Sequence, residues 1–277
     1  MSPDAGGATS TTAELFKACC ADLYGQDLVA LLLGQRFHPG GADLTRRLAD
    51  LLGLGRGERV LDVASGTGTT ARLLARERGV VVTGVDLSAR LVERARRHTL
   101  ADGLDGSVRF LVADAERLRF RDGSFDVVVC ECALCTFPDP AAALAAAVRV
   151  LAPGGRLGLA DVIVDAARLP PELEGPMARI ACVAGARSLE GYAALLEDAG
   201  FRVTPVERHD EAALGMVDEI ADRVEPLRPA IGGMVDLAAL ATGLASAREA
   251  IADGVIGYAL FTAVPERSAR DVRGGDG

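Results

Sequence analysis

The run Val60-Leu61-Asp62-Val63-Ala64-Ser65-Gly66-Thr67-Gly68 is the densest chemical signal in this chain. An apolar stretch carries a carboxylate near its end and passes at once into a glycine-bearing turn. Gly66 and Gly68 let the backbone approach a ligand where a Cβ would collide, and the helix expected from Thr69 opens with unpaired N–H groups. The string Gly66-Thr67-Gly68-Thr69-Thr70-Ala71 also fits a dinucleotide fingerprint, which would imply an NAD(P)-dependent oxidoreductase. Asp62 argues the other way: ahead of the turn it would repel a pyrophosphate but suits a cationic amino acid. Asp86 and Asp114 then close the next two apolar runs. Carboxylates there can hold ribose hydroxyls and accept from an adenine amino group, at the strand ends where open α/β sheets bind ligands. Their plainer roles are as caps, of the helix after Leu87-Ser88 and of the turn before Leu118.

The remaining reactive side chains are three histidines and six cysteines. His38, in the turn Phe37-His38-Pro39-Gly40-Gly41, is a candidate base should the acceptor carry a proton, with Glu131 an acidic alternative. His98 reads as surface, and His209 follows the sixth apolar run. Cys19-Cys20 lie near the N-terminus, Cys130-Glu131-Cys132-Ala133-Leu134-Cys135 end the fourth run, and Cys182 comes later. No quartet has zinc spacing, so no metal is expected. Buried thiols as small apolar side chains are one reading. The other is a site for a soft acceptor built from Cys182 with Cys132 or Cys135, since soft centres select thiolates.

Positioning these groups requires a parallel sheet with crossover helices. Short Val-rich runs at 59–63, 80–85, 108–113, 125–130, 156–162 and 201–206 alternate with helical stretches, and a last run at 257–264 follows a helical segment at 238–252. Residues 11–54 carry apolar spacings of two or three helices, the last from about 43 to 52. We expect tails at 1–10 and 266–277, an N-terminal helical cap at 11–54, and one α/β domain at 55–265 with a helical insertion near 208–253. The chain's 277 residues suffice for that single core. A formal charge of −9 speaks against a nucleic-acid groove, and Lys17 as sole lysine makes a Schiff-base enzyme improbable. With no signal-like or membrane-length apolar segment, a cytoplasmic protein acting on a small molecule is expected.

On Asp62 to Gly68, Gly84-Val85-Asp86-Leu87-Ser88, Asp114-Ala115-Glu116, Ser124-Phe125-Asp126 and Leu151-Ala152-Pro153-Gly154-Gly155, residues 58–162 resemble the class I methyltransferases that use S-adenosylmethionine (SAM), in the ubiquinone/menaquinone group. The resemblance implies a Rossmann-like, seven-stranded, mostly parallel sheet with a reversed last strand. It implies further that Asp62, Ser65, Gly66 and Gly68 line the methionyl and ribose side, and that Asp86 binds the ribose with Leu87 against the adenine. Asp114 and Ala115 would hold the adenine edge, Cys130 would close the pocket, and Tyr24 resembles a cap tyrosine that covers SAM. The segment 174–201, with Cys182, and Ala18-Cys19-Cys20 resemble stretches of arsenite methyltransferases, which makes arsenite the alternative acceptor. That family has a second binding thiol after the first; here no cysteine follows Cys182, so Cys132, Cys135 or Cys20 would take its place. A non-catalytic SAM-binding protein is the remaining alternative.

Overall fold

The computed structural model describes residues 38–173, 182–231 and 236–266. Tyr24, Cys19, Cys20, the cap helices before His38 and the two tails lie outside the described residues. The sheet runs β1 (Arg59–Val63), β2 (Val81–Asp86), β3 (Val108–Val112), β4 (Phe125–Glu131), β5 (Leu151–Val164), β6 (Phe201–Val203), β7 (Glu207–Arg208) and β8 (Ile256–Pro265). Its spatial order is β3-β2-β1-β4-β5-β8-β6, with β7 also on β8. β1 to β5 pair in parallel, while β8 runs antiparallel to β5, β6 and β7. This is a Rossmann-like, mostly parallel sheet with a reversed last strand, as the resemblance implies.

Two differences from expectation have local causes. The sixth run stops at Val203, because Pro205 has no N–H to give a ladder. The chain then rejoins β8 as β7, one residue out of register between Val203↔Ala263 and Glu207↔Leu260. β5 extends to Val164 because β8 pairs with it along eight residues, from Leu157↔Ala263 to Val164↔Ile256.

Period-two alternation sorts the strand residues onto two buried faces. One face packs Val60, Val82, Val127 and Val129 with Leu48 of α1 (Gly41–Leu51), Leu74 of α2 (Thr69–Arg78) and Val92 of α3 (Ala89–Ala101). The other packs Leu61, Val63, Val128 and Leu159 with Leu144 of α4 (Pro140–Val150) and with Tyr192 and Leu196 of α5 (Leu189–Asp198). Two further helices, α6 (Asp210–Ile231) and α7 (Leu237–Ala252), lie between β7 and β8 in sequence. Helix starts follow the side chains that can satisfy free N–H groups: Ser88 caps α3, Asp139 with Pro140 starts α4, Ser188 caps α5 and Asp236 caps α7. These caps fix where each crossover leaves the sheet, and so where the loops at its carboxyl edge begin.

Candidate active site

The carboxyl ends of β1 to β4 meet around a cleft of about 970 Å³, part of it open to solvent, reached by Gly66, Asp86, Leu87, Asp114, Glu131 and Cys132. Beyond β1 the backbone turns through Ala64 at φ 56° and Gly66 at φ 54°. A Cβ on Gly66 would meet nothing within 4 Å. Gly68 is bare for another reason: a Cβ there would fall 2.3 Å from the Phe110 ring, so packing rather than the cleft requires it. Asp86 stitches two loops, accepting from the Gly66 N–H at 2.9 Å and the Ser88 N–H at 2.8 Å. Burial pushes its carboxyl up, against the pull of those two N–H groups. Leu87, 40% exposed, forms an apolar lip beside it. Asp114 accepts from the Glu116 N–H at 3.0 Å, the cap its position suggested, and it lines the cleft with Ala115.

Asp62 is buried on β1, and among the described residues one of its carboxylate oxygens has no partner; nor has the buried hydroxyl of Ser65. Desolvation raises the Asp62 carboxyl, with Glu131 and Asp86 adding to the effect. Glu131 ends β4 and accepts from the Thr45 hydroxyl at 3.1 Å and from the Thr70 hydroxyl at 2.5 Å. His38 reaches to 3.8 Å of the same carboxylate. His98 is exposed on α3, and His209 pairs with Glu207 at 3.4 Å.

Four of the cysteines lie among the described residues. Cys130 points into the layer under α4 and does not reach the cleft, because alternation along β4 turns it to that face; the expectation that it closes the pocket passes to Cys132. The sulfurs of Cys132 and Cys182 are 3.6 Å apart, and the Cys135 thiol also bonds to Cys182. Cys132 at φ 53° and Cys182 at φ 61° are, with Ala64, the non-glycine residues at positive φ among the described residues. Such strained backbone persists only where the surroundings over-determine it. The approach is close: a Cβ on Gly185 would lie 1.9 Å from the Cys135 carbonyl oxygen. Beneath the thiols sits Asp161, wholly buried, accepting from the Cys135 N–H at 3.0 Å and the Val162 N–H at 2.9 Å. Burial, then Cys182, pushes its carboxyl up to about 7. The contact with Cys182, then burial, raises the thiols of Cys132 and Cys135. The hydroxyls of Tyr192 and Tyr258, buried within electrostatic reach of this cluster, have no partner among the described residues. No group of three or more His, Cys, Asp and Glu among the described residues is arranged to hold a metal ion.

The chain is similar to known proteins. The methyltransferase domain family matches residues 61–159. The 27-O-demethylrifamycin SV methyltransferase of Amycolatopsis mediterranei is 33% identical over 86% of this chain and 92% of its own length. The chain belongs to the SAM-dependent methyltransferases. An arsenite methyltransferase of Halobacterium salinarum is 33% identical over 60% of this chain and 43% of its own. In fold, the Haemonchus contortus phosphoethanolamine N-methyltransferase 2 in complex with SAM superposes with a TM-score of 0.76, at 24% identity, over 94% of this chain and 61% of that one.

As a methyltransferase, the chain has a cleft that fits its donor. Gly66 leaves open space, Asp86 places a carboxylate at the end of β2, and Leu87 offers an apolar lip; Asp62 and Ser65, expected on the donor's wall, are buried and do not line the cleft. The oxidoreductase alternative falls with this assignment. Sequence reasoning missed Asp161 and the two hydroxyls that hold Glu131. Asp161 had a signal, a lone carboxylate inside Leu159-Ala160-Asp161-Val162-Ile163. Thr45 and Thr70 had none, because their contact to Glu131 joins three elements far apart in sequence. Among the described residues no helix is long and apolar enough to cross a membrane.

Proposed function

We propose that this methyltransferase acts on a soft trivalent acceptor, arsenite in the first instance, held by the thiols of Cys132 and Cys182 with Cys135 as a third ligand. The observation that carries the reading is the 3.6 Å between the Cys132 and Cys182 sulfurs, in a pair whose Cys132 lines the donor cleft. One soft atom can bridge that distance, and thiol ligands are what soft centres select. The strained backbone of both cysteines supports it, since a purely apolar role for the thiols would not require positive φ at each. The likeness to an arsenite methyltransferase adds to it.

In this reading each thiol exchanges for a hydroxide of the acceptor: a sulfur–arsenic bond forms, and the S–H proton leaves with the hydroxide as water. SAM supplies a methyl group on a sulfonium, open to displacement by a lone pair. Gly66, Asp86, Leu87, Asp114 and Ala115 hold and orient the donor, while Cys132 and Cys182 fix the acceptor next to that cleft. The chain's contribution is alignment and exclusion of water. A lone-pair acceptor carries no proton at the reacting atom, so His38 is not needed as a base.

The experiment is arsenite-dependent formation of S-adenosylhomocysteine (SAH) with a thiol reductant present, read together with methylated arsenic by chromatography. Wild type should turn over, and Cys132→Ser and Cys182→Ser should lose turnover while binding SAH normally. Absence of arsenite turnover in a SAM-binding wild type would sink the reading. It would leave an organic hydroxyl acceptor, favoured by the rifamycin-type relative, with His38 as the base.

A further inference from the structure

We infer that Glu131 is the receptor for the donor's amino-acid ammonium group, a role independent of which acceptor is methylated. Three carboxylates converge at this edge: Asp62 on β1, Asp86 on β2 and Glu131 on β4. Among the described residues no arginine pairs with any of them, and the nearest basic group is His38, 3.8 Å from Glu131. Uncompensated carboxylates in a cleft call for a cationic ligand.

The three are not equivalent. Asp62 is buried and does not line the cleft, and Asp86 stands at the end of β2, across β1 from Glu131, where its carboxylate is tied to the Gly66 and Ser88 N–H groups and faces the ribose side. Glu131 alone combines a place on the cleft wall with an orientation fixed by hydroxyls from two other elements, Thr45 of α1 and Thr70 in the first turn of α2. Thr45 and Thr70 each provide one hydroxyl, so the carboxylate keeps acceptor capacity for a charged donor. Thr70 also ties it to the helix that follows the glycine loop.

The test compares two ligands by calorimetry: SAH, and its deaminated analogue, which differs only in lacking the ammonium group. Wild type should prefer SAH by about tenfold or more, the scale of a charge-assisted hydrogen bond. Glu131→Gln keeps the shape and the threonine contacts but removes the charge. It should lose about that factor for SAH and nothing for the analogue, whose retained affinity also shows the variant is folded. Equal loss on both ligands, complete loss included, assigns Glu131 to loop shape and overturns the inference. So does a wild type that fails to discriminate between the two ligands. Since neither measurement involves an acceptor, failure here is separate from failure of the arsenite assay.

Discussion

Replacing Asp86 by alanine tests the donor site at the residue with two structural duties. The side chain holds the Gly66 and Ser88 N–H groups at 2.9 and 2.8 Å, and it lines the cleft. Each N–H left without a partner costs about 1–3 kcal/mol if no water replaces the carboxylate. The site opens on the cleft, so water can reach one of them, and we expect a total loss of about 2–4 kcal/mol in apo stability. Donor affinity should fall by a further 1–3 kcal/mol or so, roughly 5- to 150-fold, because ribose hydroxyls lose a charged acceptor. Asp86→Asn separates the two effects. It keeps one acceptor oxygen and the side-chain shape, and it removes a charge that burial already disfavours. Its stability loss should therefore be the smaller, while its donor affinity still drops. The assays are urea unfolding of the apo protein and calorimetry with SAM at a temperature where both variants are folded. A folded Asp86→Ala protein that binds SAM as tightly as wild type would refute the assignment.

Other perturbations follow from the same geometry. Gly66→Val should abolish SAM binding yet leave a soluble protein, since a branched residue resists φ 54° and its side chain would project into open cleft space; wild-type affinity by calorimetry would make the turn merely structural. Gly185→Ala should displace the Cys182 turn, because its Cβ would sit 1.9 Å from the Cys135 carbonyl oxygen. Arsenite turnover should then fall at least tenfold or so with SAH affinity unchanged, and unaltered turnover would count against the thiol site. The Asp161 carboxyl, pushed up to about 7 by burial and then by Cys182, binds a proton in the folded chain that the unfolded chain has lost above about pH 4. Its contribution therefore weakens as pH rises from about 4 to 7, by something like 1 kcal/mol per unit, and is flat above. Apo unfolding of Asp161→Asn relative to wild type should remove that slope, and parallel curves would disprove it.

The residues that announced themselves in the sequence did so because their constraints are local. The turn after β1 needs Gly66 for a positive φ, and Asp86 and Asp114 stand at ends of apolar runs whose period fixes where a strand stops. What escaped was set by pairing across the sheet. Alternation along β4 decides that Cys130 faces α4, and the positive φ of Cys132, invisible in composition, turns the next thiol to the cleft. The break at Pro205 was readable from its missing N–H, whereas the rejoining as β7 depends on where β8 lies. The contact between Glu131, Thr45 and Thr70 depends on the seating of α1, which no local pattern encodes.

The state of the thiols decides which soft acceptors this cleft could take. Cys132 and Cys135 have their thiols raised, first by the contact with Cys182 and then by burial, with Asp161 beside them adding to the effect. At neutral pH they rest as S–H groups, which is a poor beginning for a bare divalent cation. Such an ion binds thiolates, so the site would have to release protons against that raised affinity. A neutral acceptor bearing hydroxides meets no such barrier, since every S–H proton leaves with a hydroxide as water and the net charge does not change. Arsenite binding to the SAH complex should therefore neither take up nor release protons near neutrality. Calorimetry in buffers of different ionisation enthalpy measures this directly: the observed heat should be the same in each. Zinc titrated into the same complex should bind weakly, with a heat that tracks the buffer. Arsenite heats that scale with buffer ionisation would mean that thiolates, not thiols, form the resting site, and the reasoning from burial would be wrong.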